Sequence, residues 1–349
     1  MTAPAAAELG SRQARVLRAV VRDYIKTAEP IGSGTLAGRH RLGVSAATIR
    51  NDMALLEELG YLTHPHTSAG RLPTDLGYRF YVDTLGGLPR LSDSQREVIA
   101  ASIDERVADV EDVMRRTAHL LSRMTHYAAV ALSPTLERTR VVRADLVWLG
   151  PGALLLIVSD SGRVDKRMLD VPEGADAETV HRASEVTGSL RGLTYPKARA
   201  RVLVRAREAG EPDRAILGAV AEAFHELERE PAREHVFIGG VGNIAREEIF
   251  EHRDTLRLLF DVLDEEATIL RFLRGLATDE EEITVRIGRE NPLAAMREAS
   301  VIVSWYRVGD RPVGSIAVIG PTRMEYPTAM STVAAVARRL SNVIEALGG

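Results

Sequence analysis

The residues with the most readable chemistry sit in segment 45–59. Ile49, Met53 and Leu56 fall at i, i+4 and i+7, so a helix begun by a Ser45 cap and ended by Gly60 has one apolar face. Its other face presents Ala47, Thr48, Arg50, Asn51 and Ala54. Arg pairs bidentately with guanine, Asn pairs with adenine, and small alanines permit close approach or touch a thymine methyl, so this face suits the major groove of DNA. The same polar residues would also serve as an ordinary solvated surface. The flanking elements choose between the two readings.

Upstream, Val16, Leu17, Val20, Val21, Tyr24 and Ile25 recur at helical spacing, while Arg12, Arg15, Arg18, Arg22 and Lys26 form a basic stripe every three or four residues. Pro30 and Gly32 end the connection, Ser33 is placed to cap a short helix reaching about Arg39, and Gly43 makes the turn into the Ser45-capped helix. Two short helices across a glycine-containing turn read as a helix-turn-helix. Downstream, residues 61–64 read as a strand, 65–70 as a loop of turn formers and 71–72 as a returning strand, which makes a wing. Thr74 then caps a closing helix with Tyr78, Tyr81, Val82 and Leu85 on its apolar side, and Gly86, Gly87 and Pro89 mark a boundary near residue 90.

This order favours DNA binding, with candidate contacts from Ser33, Arg39, Ser45, Thr48, Arg50 and Asn51, and from His66, Thr67, Ser68 and Arg71 in the wing. His64 and His66 have no third ligand nearby, so no metal is expected there. Charge agrees with the assignment. The whole chain carries a net −4, yet residues 10–90 hold eleven Lys and Arg against seven Asp and Glu, a local +4. A basic module on an acidic body brings one end of the protein to phosphates.

At 349 residues the chain is long enough for two or three domains. It has no cysteine, which excludes disulfides, cysteine-ligated zinc and thiol nucleophiles and fits a cytoplasmic location. The longest apolar run, 153–158, is too short to span a bilayer, and the Ala-rich start lacks the pattern of an export signal. After residue 90, a helical stretch places Ile103, Val107, Val110, Met114, Thr117, Leu121 and Met124 at alternating steps of four and three. Such a seam serves a coiled coil or packs on the chain's own sheet, and the lack of complementary flanking charges favours the latter.

Strands are expected at 128–132, 141–149 and 153–159 and onward to about Val171, as an antiparallel meander. Residues 173–254 change character, with helical patterns at 178–191 and 213–230 and a short apolar piece at 236–238, and read as an insertion. Helical residues at 255–275, strands at 283–287, 300–308 and 313–319, and a final helix at 328–347 follow. Strands on both sides of the insertion can rejoin one α+β sheet.

Little else in the chain carries chemistry. The run from Gly239 to Asn243 lacks the lysine and hydroxyl of a P-loop and the spacing of a dinucleotide fingerprint, so it reads as a tight turn. Asp279, Glu281 and Glu282 belong to a solvated charge run rather than an acid–base pair. No catalytic constellation emerges, and neither an enzyme nor a cofactor is expected.

Three stretches carry a family resemblance: Glu29-Pro30-Ile31-Gly32-Ser33; Leu42-Gly43-Val44-Ser45-Ala46-Ala47-Thr48-Ile49-Arg50-Asn51-Asp52-Met53; and His66-Thr67-Ser68-Ala69-Gly70-Arg71-Leu72-Pro73-Thr74-Asp75. Far downstream, Ile287-Gly288-Arg289-Glu290-Asn291 and Ile319-Gly320-Pro321-Thr322-Arg323-Met324-Glu325-Tyr326 join them. Together they resemble the heat-inducible transcription repressor family, HrcA. The resemblance implies an α+β multidomain protein: a winged helix-turn-helix (1–90), a GAF-like domain (91–172 with 255–349) and an inserted dimerising domain (173–254). It further implies a homodimer on an inverted-repeat operator in double-stranded DNA upstream of chaperone operons, with the chaperonin GroEL as modulating partner. Two other readings compete, a metabolite-responsive winged-helix repressor and a ligand-binding GAF-like sensor. The former would carry a sugar-phosphate fold after residue 90, and the segment Gly320-Pro321-Thr322-Arg323-Met324 argues against it.

Overall fold

A computed structural model describes residues 9–64, 70–103, 110–134, 139–150, 152–172, 174–229, 236–244, 253–276 and 282–348. The N-terminal part comprises helices α1 (Ser11–Thr27), α2 (Ser33–Arg39) and α3 (Ala46–Glu58), the short strands β1 (Leu62–Thr63) and β2 (Leu72–Pro73), and helix α4 (Asp75–Asp83). The expected apolar faces are the buried ones: Val16, Leu17, Val20 and Val21 in α1, Ile49, Met53 and Leu56 in α3, and Tyr78, Tyr81 and Val82 in α4. Strands β1 and β2 pair antiparallel, Leu62 opposite Pro73. Thr74 caps α4 by accepting from the Gly77 amide at 3.2 Å. Ser33 does not cap α2. That place belongs to Gly32, and Ser33 is the first helical residue.

Next come α5 (Asp93–Ser102), α6 (Val110–Thr125), β3 (Ala128–Leu132), β4 (Val141–Trp148), β5 (Gly152–Ser159), β6 (Val164–Asp170), α7 (Ala177–Gly188), α8 (Tyr195–Glu208), α9 (Asp213–Arg229), β7 (Val236–Gly239) and α10 (Val241–Ile244). The chain ends with α11 (Arg253–Asp264), α12 (Glu266–Leu276), β8 (Ile283–Ile287), β9 (Ala299–Val308), β10 (Arg311–Pro321) and α13 (Tyr326–Gly348), with single 3₁₀ turns at Gly288–Glu290 and Ala294–Met296. The architecture is mixed α+β. Among the described residues no helix is long and apolar enough to cross a membrane.

The strands divide differently from the sequence expectation. Strands β4, β5 and β6 do form an antiparallel meander, but as a sheet of their own. Their inner face, with Ala144, Leu146, Leu155, Ile157 and Leu169, shares a core with Val180, Val202, Val220 and Phe224 of α7, α8 and α9. The meander thus shares its core with helices of the segment 173–254, while β7 of that same segment pairs with β3, with Val130 opposite Ile238. The central sheet runs β7-β3-β10-β9-β8. It joins β3 with β8, β9 and β10 from far downstream.

Helix α6 packs its Val113, Met114, Thr117 and Leu121 inside the chain, against the same core as α13. Val107 lies outside the described residues. On the other face of the central sheet, Leu259 and Leu263 of α11 and Ile269 and Phe272 of α12 cover Val130, Val301 and Ile319. The Gly239–Asn243 segment is the expected tight turn. Gly240 has φ +69°, and a Cβ on Gly239 would come within 2.5 Å of the Ala118 carbonyl oxygen, so the turn presses on the backbone of α6.

Candidate nucleic-acid interface

Helix α3 is built as the sequence reading required at its start. Ser45 accepts from the Thr48 amide at 3.2 Å, and its hydroxyl lies 3.0 Å from that of Thr48. Both candidate hydroxyls are thus occupied in holding the cap. Ala47, Arg50, Asn51 and Ala54 are exposed together on the outer face. Among the described residues, Arg50 and Asn51 have no ion-pair or side-chain hydrogen-bond partner in the structure.

Two buried carboxylates, which periodicity did not reveal, hold this helix in place. Asp52 on the inner face of α3 receives Arg12 bidentately, Nε at 2.8 Å and Nη2 at 3.0 Å. Asp23 on α1 accepts from His40 Nε2 at 2.8 Å and lies 3.7 Å from Arg39 Nη1. Arg15 donates to the carbonyls of Arg41 and Leu42 in the turn between α2 and α3. The basic stripe of α1 therefore does structural work at Arg12 and Arg15. Charged hydrogen bonds of this kind are short and directional, so they orient α3 as well as attach it.

The wing is partly described. His66, Thr67 and Ser68 lie outside the described residues. Arg71 sits at the returning strand, where its backbone pairs with Ile31 in both directions at 2.9 and 3.0 Å. A Cβ on Gly70 would come within 2.6 Å of the Ile31 backbone, so only glycine fits there. The Arg71 guanidinium forms an ion pair with Glu57 at 2.6 Å and is only a quarter exposed. His64 pairs with the same carboxylate. No group of three metal-ligating side chains exists among the described residues.

The N-terminal elements also dock on the central sheet and α13, through pairs far apart in the chain. Arg79 of α4 donates from Nε to Glu290 at 2.8 Å and from Nη2 to both Glu290 and, at 2.7 Å, the Val285 carbonyl. Burial opposes the charge of Arg79, but Glu290, with Asp83 alongside, outweighs it and holds the guanidinium above its usual pKa. Asp75 accepts from the Arg289 amide at 2.9 Å. Tyr78 packs on Tyr326 with ring centroids 6.1 Å apart, and Ser331 donates to the Pro89 carbonyl at 2.8 Å. Both downstream signatures thus meet α4.

Burial is the main cause that holds the Asp75 carboxyl above the ordinary carboxylate range, with the Arg289 amide opposing it. A raised carboxyl pKa means that ionisation costs the folded state. The cost is absent below the unfolded pKa, grows as pH rises toward the folded value and is then constant. Asp75→Asn keeps an acceptor for the Arg289 amide and removes the charge. It is expected to be more stable than the unaltered chain at neutral pH, with the gain fading on acidification through the Asp75 titration. Urea unfolding of both proteins across that pH range measures the difference. A variant less stable at neutral pH would contradict the assigned cause.

Known proteins match the chain over nearly its whole length. A family model described as "HrcA protein C terminal domain" matches residues 111–330. A relative from Parafrankia sp. named "Heat-inducible transcription repressor HrcA" is 40% identical over 347 residues, covering 97% of this chain and 99% of the relative. One of the same name from Beutenbergia cavernae is 41% identical over 352 residues, with 97% and 99% covered. A crystal structure described as that of a hypothetical protein at 2.2 Å resolution is 27% identical, with a TM-score of 0.66 over 97% of this chain and 100% of the other. On the extent of these matches, the chain belongs to the HrcA family.

Proposed function

We propose that the protein represses heat-shock transcription by binding an inverted-repeat operator in double-stranded DNA as a homodimer, without enzymatic activity. In this reading residues 1–90 are a winged helix-turn-helix, with α3 as recognition helix and β1–β2 as the base of the wing. The central sheet with α5, α6 and α11 to α13 is the GAF-like domain. The observation that carries the reading is the outer face of α3, where Arg50 and Asn51 stand exposed between small residues on a helix braced from beneath by Arg12–Asp52. Ser33, Arg39 and Thr48 are kept as further candidate contacts, and Arg71, as a partner of Glu57, would contact phosphate only at the rim.

Dimerisation is supported by the outer face of the β4-β5-β6 sheet. Val147, Leu154 and Met168 lie side by side in register, next to Asp145, Leu156 and Lys166 and then Arg143, Val158 and Val164. Val147, Val164 and Met168 are 40%, 50% and 64% exposed. A second copy would bury this strip around a two-fold axis and place Asp145 and Lys166, at its opposite edges, for exchange across it. The face lies at 141–170, just before the segment 173–254 in which dimerisation was expected, while that segment supplies the supporting helices. GroEL as modulating partner rests on the family resemblance.

Selection of duplexes from a random pool with the full-length protein tests the function. An inverted repeat with guanine and adenine at fixed half-site positions is the expected product. Enrichment of direct repeats, or of no sequence, would overturn it.

A further inference from the structure

A dimer that reads two half-sites needs a stiff path from its two-fold axis to each recognition helix, since the half-site spacing it accepts is the distance and rotation that path defines. One added base pair moves the second half-site by about 3.4 Å and roughly a tenth of a turn. The structure contains such a path, and α4 is its strut. One end is fixed to the exit of α3: Thr74 donates to the Gly60 carbonyl at 2.6 Å, Phe80 packs edge-on against Tyr61 at 5.8 Å, and a Cβ on Gly77 would come within 2.3 Å of the Tyr61 carbonyl oxygen. The other end is the ionic dock of Arg79 and Asp75 on the turn after β8. There Gly288 adopts φ +52°, and an added Cβ would lie 2.3 Å from the Asp75 carboxylate. Beyond the central sheet, Arg311 of β10 pairs with Asp160 in the β5–β6 turn, and Asp160 also accepts from the Arg140 amide at 2.8 Å. Directional contacts and glycine-only approaches thus run from α3 to the inserted sheet, alongside the apolar packing of Tyr78 on Tyr326.

We infer that Arg79, Asp75 and Glu290 are positioning residues that set which half-site spacing the dimer accepts, without touching DNA themselves. The inference rests on the proposed dimeric operator reading. It differs from a purely structural role in what it leaves alone. Leu17, Leu36, Ile49 and Leu56 are fully buried in an apolar core that runs on from the N-terminal elements into the body, and breaking the ionic dock leaves that packing in place, so each recognition helix still reads its half-site. Only the coupling between the two half-sites is lost.

The test uses the full-length protein, a selected inverted repeat, and versions of it with the spacer lengthened or shortened by one and two base pairs. A single half-site duplex serves as a control. The unaltered protein is expected to disfavour a one-base-pair change by at least about tenfold. Arg79→Glu and Glu290→Arg should each bring all spacers within about threefold of one another, mainly by weakening binding to the preferred one, with half-site affinity unchanged. The double exchange should restore the preference, because it rebuilds the ion pair with reversed polarity. Arg79→Met, which keeps the aliphatic stem, should behave as Arg79→Glu does and guards against a variant that fails to fold. Retained spacer preference in the single variants overturns the inference and leaves the repressor reading standing. Loss of half-site binding in all three single variants also overturns it, since the dock would then serve the fold of the head. Failure of the unaltered protein to bind any inverted repeat removes the reading beneath it.

Discussion

Met168→Glu in the full-length chain is expected to turn the proposed dimer into a monomer and to lower operator affinity by roughly 10²–10⁴-fold while half-site affinity stays the same. Met168 is the most exposed large apolar side chain of the outer β4-β5-β6 face, in the row with Val147 and Leu154. A carboxylate there would be carried, together with its two-fold copy, into an apolar interface. Burying an unpaired charge costs far more than such an interface gains from one methionine. The substitution points away from the underlying core, so the fold of the monomer has no reason to change. Joining two readers makes the second contact effectively intramolecular, and losing that advantage accounts for the size of the effect. Sedimentation gives the mass, and titration against full and half operators gives the two affinities. A variant that remains dimeric would place the interface elsewhere.

Arg50→Ala is expected to weaken operator binding by about 1–3 kcal/mol per half-site and to relax preference at one base pair in each. The position is exposed and its guanidinium has no partner among the described residues, so the substitution disturbs no packing. The loss should therefore appear in binding with unfolding unaffected. Comparing all four bases at the affected position separates base reading from phosphate contact. A guanidinium on guanine loses its advantage at that base pair alone, whereas one on phosphate loses affinity equally for every sequence. Uniform loss would assign Arg50 to the backbone and leave Asn51 as the base-reading candidate.

The N-terminal module was legible because its signals are local. Ser45 and Thr74 cap the helices they precede, and Ile49, Met53 and Leu56 face inward as their spacing requires. Hydrogen bonds and apolar faces that repeat within a turn or two leave a periodic trace in the chain. At Ser33 the local rule failed, since Gly32 offers an equally acceptable cap one residue earlier. The division of strands was not legible. Strand β3 is apolar throughout and β4 alternates, which marks burial on two faces and on one, but neither pattern names a partner, and only the complementarity of whole faces sends one to the central sheet and the other to α7, α8 and α9.

The buried carboxylates illustrate the same boundary. Asp52 and Asp23 look like surface residues in a helical pattern, because burial of a charge is tolerated only where a partner from elsewhere arrives, here Arg12 and His40. Arg79 and Glu290 are 211 positions apart, and no spacing rule connects them. The sequence by itself determined most of the helices, the caps at Ser45 and Thr74, the outward pair Arg50 and Asn51, and a family resemblance reaching both ends of the chain. The tertiary structure alone decided which carboxylates are buried, which strands share a sheet, that Arg71 answers to Glu57, and that α4 docks the N-terminal elements on the central sheet. Local propensity acts through neighbours along the chain, whereas ion pairs, close backbone approaches and sheet membership act through neighbours in space.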